Sequence, residues 1–416
     1  MVINPRSLPG SDRWLTTDQV AQRLGVQRAT VYAYVSRGLL GRTLSPDGRT
    51  SRFDPNEVEE LGRRGRPRRG GRSGTVDVVL STAITAIDGD RLVLRGHDLV
   101  DLAGVVPFEA VAELLWTGQL GEGGTWDPSP GSIEAVESSV AAMPPDAPAA
   151  SRLAAGVTVL GALDPGRGDL RPATVVAKGG PLLAALPHCL PVLDRSRPTG
   201  SLRTVAELLW PRLSPLRATR IRHAALDATL VALADHEMAT STLAARVAAS
   251  TRANPYACLL AAIGAASGPL HGRAAVSAHR MLADANAGTP PAVVVATALE
   301  DRSEVPGFGH PVYVGPDPRA ELVLARVAEV APLGTVTTID AVATAGRAVT
   351  GLEPNVDFAL AALAVASRMP LGATEAIFLI ARTAGWLAHV VEEHAERPLR
   401  FRPRSLYTGP LPPTRS

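Results

Sequence analysis

The sequence predicts a mainly α-helical protein in two parts, a small winged helix-turn-helix unit followed by a large helical body. Three observations carry this. Aromatic residues make up only 4% of the 416 residues, and Ala and Leu fill the periodic segments, whereas sheets draw on aromatic and β-branched residues. Hydrophobic residues reach 46% and charged residues 20%, enough for more than one core in a chain of this length. The first sixty or so residues run through helix, glycine turn, helix and extended hairpin in succession.

Each element of the front unit has its own signal. Thr16-Thr17-Asp18 caps a first helix with Val20, Ala21 and Leu24 on its apolar face, and Gly25 ends it. A second helix, Gln27 to Ser36, turns Val31 and Val35 inward. From Gly41 to Phe53, two short extended pieces flank Pro46-Asp47-Gly48, the pattern of a wing. Asp54-Pro55-Asn56-Glu57 opens a third helix, with a cap, proline at the first helical position and an acid three residues after the cap.

Charge separates the two parts. Residues 1–72 carry fourteen Arg, no Lys and seven acids, a net of +7 in a chain whose total is +2, so the remainder carries −5. Arg63 to Gly74, with six Arg among Gly, Pro and Ser, lacks the apolar content for a core and reads as a flexible basic linker over 63–75. The front unit, residues 1–62, resembles winged helices of the excisionase and MerR type. That implies DNA contact through Gln27, Arg28, Thr30 and Tyr34 on the second helix, all expected to be exposed. Arg37, Arg42, Arg49 and Arg52 would meet phosphates. The plainer alternative is a protein-docking module or an appendage with no DNA site.

The body reads as helical from Phe108 onward. Loop-rich breaks are expected at Gly118 to about Ser132 and around Ala142–Pro148. Asp357 to Arg368 is apolar on nearly every face, which predicts a helix buried between neighbours. No apolar run is long enough to span a membrane, and the start of the chain lacks the layout of a secretion signal, so a cytoplasmic protein is expected. Two cysteines, Cys189 and Cys258, fit a reducing compartment and suggest no disulfide framework or metal cage.

Three segments of the body carry chemistry. Ser267-Gly268-Pro269-Leu270-His271-Gly272 places an imidazole among small residues just before a helix that begins near Arg273. A neutral ring there can donate a hydrogen bond to a carbonyl oxygen becoming enolate-like. Pro306-Gly307-Phe308-Gly309-His310-Pro311-Val312-Tyr313 presents a second imidazole in a glycine-rich loop, and Arg319 nine residues later can clamp a carboxylate. Asn355-Val356-Asp357-Phe358 places a carboxylate at the mouth of the apolar helix, where desolvation strengthens it as a base. Each has a plainer reading alone: a structural histidine, an ordinary ion-pair arginine, a helix cap. Together they supply acid, base, electrophilic donor and anion anchor, the set for carbon–carbon bond formation through an enol.

SGPLHG, GFGHPVY with DPR, and NVDF, in this order, resemble the three active-site segments of the citrate synthase family. Four further stretches agree: Ala86-Ile87-Asp88-Gly89 with Leu94-Arg95-Gly96, Asp235 to Thr242, Ile380 to His389, and Arg402 to Gly409. The resemblance implies a homodimer whose subunit has a large helical domain over 76–266 and 371–416 and a small domain over 267–370. It implies that His271 polarises the thioester carbonyl, Asp357 removes the methyl proton and His310 protonates the oxaloacetate carbonyl. His236, Arg319 and Arg382 would hold oxaloacetate, with Arg402 reaching in from the other subunit. Acyl-coenzyme A would lie on Val305, Gly307 and Gly309. No cofactor or metal is implied beyond acetyl- or propionyl-coenzyme A as substrate. Departures include Arg273, where the family usually has an uncharged residue, and Val314, where it often has a basic one; Arg273 is a candidate replacement for a coenzyme A phosphate contact. The expected reaction is condensation of acetyl-coenzyme A with oxaloacetate to citrate. The alternatives are 2-methylcitrate formation from propionyl-coenzyme A and a DNA-binding regulator whose body senses coenzyme A esters or oxaloacetate.

Overall fold

The computed structural model describes residues 14–24, 26, 28–36, 40–45, 50–55, 57–58, 78–194, 203–302, 304–313, 315–403 and 409. The chain divides into a front unit, Met1–Val79, and a body, Leu80–Ser416. The expected linker, residues 63–75, lies outside the described residues, as do Gln27, Arg37 and Arg49.

In the front unit the first helix is Thr17–Leu24 and the second Arg28–Ser36. The wing is formed by Thr43–Leu44 paired antiparallel with Ser51–Phe53, and Leu15–Thr16 adds a third strand on the other side of Ser51–Phe53. Val20, Val31, Leu40, Phe53 and Val58 bury completely or nearly so and form the core. Glu57 ties the wing down: its Oε2 accepts from the Gly41 amide at 2.8 Å.

The second helix turns differently from expectation. Tyr34 packs half-buried against this core and Thr30 is half-buried, whereas Arg28 and Tyr32 are exposed. Tyr34 is two residues from Tyr32, about 200° around a helix, so only one of the two can face solvent.

The body opens with a feature absent from the helical expectation. Thr85–Asp88, Arg91–Leu94 and His97–Asp98 form a three-stranded antiparallel sheet. Its signal was an apolar alternation around an Asp-Gly turn, outweighed by the low aromatic content.

Helices follow at Phe108–Thr117, Pro130–Ala141, Ala149–Leu163, Pro172–Ala185, Val205–Leu213, Arg220–Leu233, Thr240–Ser250 and Pro255–Ala266. Ala274–Asn286, Pro291–Arg302, Pro318–Val330, Leu333–Thr350, Val356–Ala366 and Ala373–Ala395 complete the body. The breaks fall where composition placed them: 118–129 and 142–148 are non-helical, although Ser129 caps the next helix three residues before the expected boundary.

Among the described residues, two apolar cores fill the body. The larger gathers around Ala373–Ala395 and includes Phe108, Trp210 and Trp386. The second is built by helices between 274 and 366, with Ala225 and Ala232 joining it. Val356–Ala366 is the wall between them: Val356, Leu360 and Ala364 face the first core, and Phe358, Ala362 and Leu363 the second. That accounts for a helix apolar on every side, and it sets Asp357, in its first turn, at the seam of the two cores.

Candidate active site

The loop bearing His310 is stitched to the segment bearing Asp357. Gly307 O accepts from Asn355 N at 2.8 Å, Gly309 N donates to Glu353 O at 2.9 Å, and Asn355 Nδ2 donates to Gly309 O at 2.7 Å. Phe308 and Pro354 form an antiparallel bridge. Gly307 has φ 86°, and a Cβ there would come within 2.9 Å of Phe358 Cβ, so this approach requires glycine.

Around this stitch lies a cluster of rings. His236 and His310 have centroids 5.1 Å apart, and Tyr313 lies 4.9 Å from His310 and 5.6 Å from His236. The Tyr313 hydroxyl is 3.0 Å from His236 Nε2. Val312 N donates to His310 Nδ1 at 3.0 Å, so in the neutral ring the proton sits on Nε2. Arg319 lies over Tyr313, 5.7 Å from its centroid. Its Nε and Nη2 grip Asp317 bidentately at 2.9 and 2.8 Å, both residues buried. Asp317 Oδ2 also accepts from Val356 N at 3.0 Å, fixing the arginine to the base of the Asp357 helix.

The other wall is the helix Ala373–Ala395. Arg382 is buried, donates from Nε to Leu233 O at 2.8 Å, and lies 4.8 Å above the Phe378 ring. Phe378 meets His271 edge-on at 5.4 Å. Ser241 Oγ is 2.7 Å from His271 Nε2 and accepts from Trp386 Nε1 at 3.2 Å. The indole can only donate, and His271 Nε2 is the one other partner of this hydroxyl among the described residues. The hydroxyl therefore donates to Nε2, and the His271 proton sits on Nδ1.

Charge ties these parts together. Burial, and then the Arg382 charge, push the His271 imidazole down to about 4, so it is neutral at physiological pH. Burial, then Arg319 and Arg382, hold His236 well below its ordinary value. Asp357, half-buried, is pushed up to about 6 by burial against the opposing pull of Arg319 and Arg382. Burial lowers Arg382 to about 10 despite Asp235, Asp357 and Tyr313, and the guanidinium stays charged. Arg382 is thus the common electrostatic neighbour of His271, His236 and Asp357, three groups far apart in the chain. An acid, a base and a neutral donor around two buried cations suit a dianionic keto acid.

Of the remaining expected residues, Val305 and Gly309 belong to the His310 segment, and the others lie elsewhere. Val305 is buried just ahead of the Gly307–His310 loop, and Gly309 has φ 74°. Arg273 is exposed at the start of Ala274–Asn286, its Nε 3.8 Å from Glu375. Arg402 is exposed, and 404–408 lie outside the described residues. In the front unit Arg28 is 2.9 Å from Asp18 on the exposed surface, Arg42 is exposed and Arg52 is half-buried. Sequence reasoning assigned no role to Ser241, Tyr313, Asp317, Asn355 or Phe378. Ser241, Tyr313, Asp317 and Asn355 stood inside the recognised segments, which was the available signal; Phe378 had none.

The fold and the site define a helical enzyme of the kind that handles a small polyanionic acid between two cores. Residues 73–404 match the family described as citrate synthase, C-terminal domain, and residues 14–66 match the family described as helix-turn-helix domain. A citrate synthase of Haloferax volcanii is 31% identical over 80% of this chain and 94% of its own length. A protein named 2-methylcitrate synthase 2 of Corynebacterium glutamicum is 31% identical over 81% of this chain and 94% of its own. Among solved structures, citrate synthase of Pyrobaculum aerophilum is similar with a TM-score of 0.65 at 26% identity, covering 89% of this chain and 95% of that one. Citrate synthase of Thermoplasma acidophilum, solved in a ternary complex with carboxymethyl coenzyme A and oxaloacetate, shares the fold with a TM-score of 0.64 at 24% identity, over 80% of this chain and 95% of that one. The chain belongs to the citrate synthase family, as an enzyme of that class carrying a helix-turn-helix domain at its front.

Proposed function

We propose that this enzyme condenses acetyl-coenzyme A with oxaloacetate to give citrate and coenzyme A. Asp357 takes a proton from the thioester methyl while His271 Nδ1–H donates to the carbonyl oxygen, which becomes the enol oxygen. The enol carbon attacks the keto carbon of oxaloacetate, and His310 passes a proton to the oxygen that becomes the citrate hydroxyl. Water then hydrolyses the thioester, releasing citrate and the free thiol. His236, Arg319 and Arg382 hold the oxaloacetate carboxylates, and Arg402 serves the site of a second copy. Val305, Gly307 and Gly309 face the coenzyme A, with Arg273 beside its phosphates. The domain spanning 267–370 closes over the rest to shield the enol from water. We take the protein to be a cytoplasmic homodimer.

The observation that carries this reading is the position of Arg382 as electrostatic neighbour of His271, His236 and Asp357. The test is thiol release from acetyl- and from propionyl-coenzyme A with oxaloacetate. Faster turnover (kcat/KM) with acetyl-coenzyme A is expected. Faster turnover with propionyl-coenzyme A would make it a 2-methylcitrate synthase, a reading favoured by the name of the Corynebacterium relative. Tight oxaloacetate binding with no thiol release from either would replace catalysis by sensing, the reading favoured by the helix-turn-helix domain.

A further inference from the structure

Three consecutive residues ahead of His236 are pinned, one after another, to a single face of the helix that carries Arg382. Leu233 O accepts from Arg382 Nε at 2.8 Å. Ala234 O accepts from Gly385 N at 3.1 Å. Asp235 Oδ2 lies 3.3 Å from His389 Nε2. Positions 382, 385 and 389 are three and four residues apart, so they line one helix face. The approach is close: a Cβ on Gly385 would come within 2.3 Å of Asp235 Oδ1 and 2.5 Å of Ala234 O.

A buried chain of groups orients the last pin. Arg246 Nη1 is 3.0 Å from His389 Nδ1, and a guanidinium can only donate, so Nδ1 accepts and the ring proton sits on Nε2, aimed at Asp235. Arg246 Nε donates to Glu393 Oε2 at 2.9 Å, and Arg400 Nε donates to Glu393 Oε1 at 2.7 Å. Thr85 Oγ1 donates a second hydrogen bond to Asp235 Oδ2 at 2.5 Å. Asp235, Arg246, His389 and Glu393 are essentially inaccessible to solvent. Asp235 Oδ1 accepts no hydrogen bond among the described residues, which leaves that oxygen as a bare negative charge beside the Arg382 helix.

We propose that Asp235 and His389 are positioning residues for oxaloacetate: the seam from Leu233 to Asp235 sets the spacing of His236 and Arg382, and Asp235 is the buried counter-charge that keeps Arg382 aimed at the substrate carboxylate. This rests on the reading that His236 and Arg382 hold oxaloacetate. Neither residue reaches the site itself, so the chemical step and the coenzyme A contacts are not their business. The effect falls first on oxaloacetate, and any change in the chemical step comes through Arg382.

The test compares His389→Phe, which keeps a ring but has no donor or acceptor, with His389→Gln, whose amide supplies both, alongside Asp235→Asn. Steady-state kinetics and calorimetric titration with oxaloacetate are measured on the full chain. His389→Phe and Asp235→Asn are expected to raise the oxaloacetate KM and Kd about tenfold or more. The acyl-coenzyme A KM should stay within about twofold, and His389→Gln should recover most of the loss. A merely structural role would lower the yield or melting temperature and leave the oxaloacetate KM of the folded fraction unmoved, which overturns the proposal. Should Asp235→Asn yield no folded protein, the two His389 variants decide by the same criterion. A wild-type protein that turns over normally while these variants keep their oxaloacetate KM sinks this inference alone. A wild type that neither turns over nor binds oxaloacetate sinks the proposed function, and this with it.

Discussion

Asn355 caps the helix that carries Asp357: its Oδ1 accepts from the amides of Asp357 and Phe358 at 2.9 and 3.3 Å. A carboxylate in the first turn of a helix is often drawn into that duty itself. Here the amide side chain two residues earlier performs it, and Asp317 accepts from Val356 N. The Asp357 carboxylate therefore has no capping role and is available as a base.

The first prediction concerns that base. Asp357 must be ionised to accept a proton, and burial raises it to about 6, so kcat/KM is expected to fall as pH drops through about 6. Asp357→Asn should lower kcat by roughly a thousandfold, a typical general-base effect. The same substitution should stabilise the fold. A carboxyl raised from 3.8 to about 6 binds its proton more tightly when folded, so stability falls as pH rises across that window. At neutral pH Asp357→Asn removes that penalty and should raise the melting temperature, with the gain vanishing near pH 4. A lower melting temperature at neutral pH would show that attraction to Arg319 and Arg382 outweighs the burial.

The second prediction concerns Ser241. Without its hydroxyl, His271 Nε2 loses the partner that keeps the proton on Nδ1. Ser241→Ala is expected to lower kcat about fivefold, in line with one hydrogen bond of ~1 kcal/mol, and to leave the oxaloacetate KM nearly unchanged. An unaltered kcat would mean that the tautomer is held by other means.

The third prediction is a stability effect away from the site. Two helix starts meet acids, one buried and one half-buried: Glu109 Oε1 accepts from Val205 N at 2.7 Å, and Asp227 Oδ1 accepts from Phe108 N at 3.2 Å. Burial raises Glu109 to about 7 and Asp227 to about 6. Both hold a proton more firmly when folded, so the body should lose stability as pH rises from about 4.5 through about 7. Glu109→Gln keeps an acceptor for Val205 and removes the ionisation. Thermal melts across this range should therefore flatten, with the variant the more stable at alkaline pH. An unchanged slope would assign the pH dependence to other groups.

The fourth prediction tests the front unit. Arg28 is exposed on the second helix and is paired with Asp18 at 2.9 Å. If this helix meets DNA, affinity should fall steeply with salt, and Arg28→Ala should reduce the log–log slope by about one phosphate contact. Asp18→Ala frees the guanidinium and should tighten binding by a few-fold. Binding that ignores salt, measured by gel shift across a salt series, would remove DNA from the account.

Local signals in the chain were enough for the two front helices, Thr17–Leu24 and Arg28–Ser36, and for the buried helix Val356–Ala366. The proline-and-cap starts at Asp317-Pro318 and Asn254-Pro255 were equally local signals, since a cap acts within one turn, but the body's helices were not divided from them. The wing of the front unit was legible for the same reason. The sheet at 85–98 was passed over because bulk composition outweighed its local alternation, and the wrong tyrosine was turned outward because periodicity has no fixed phase until a core is present.

Sequence alone determined which residues are proposed to carry the chemistry: His271, His310 and Asp357 were singled out by their own glycine-rich or apolar surroundings. Only the tertiary structure decided how they are held. The Tyr313 contact with His236 spans 77 positions and the Arg382 bond to Leu233 spans 149. Contacts of that range depend on how two cores pack against one helix, and no period or motif within a segment encodes them. The protonation of His271 and Asp357 is decided there too, because it follows first from how deeply the packing buries each group and then from the charges it brings near them, Arg382 beside both.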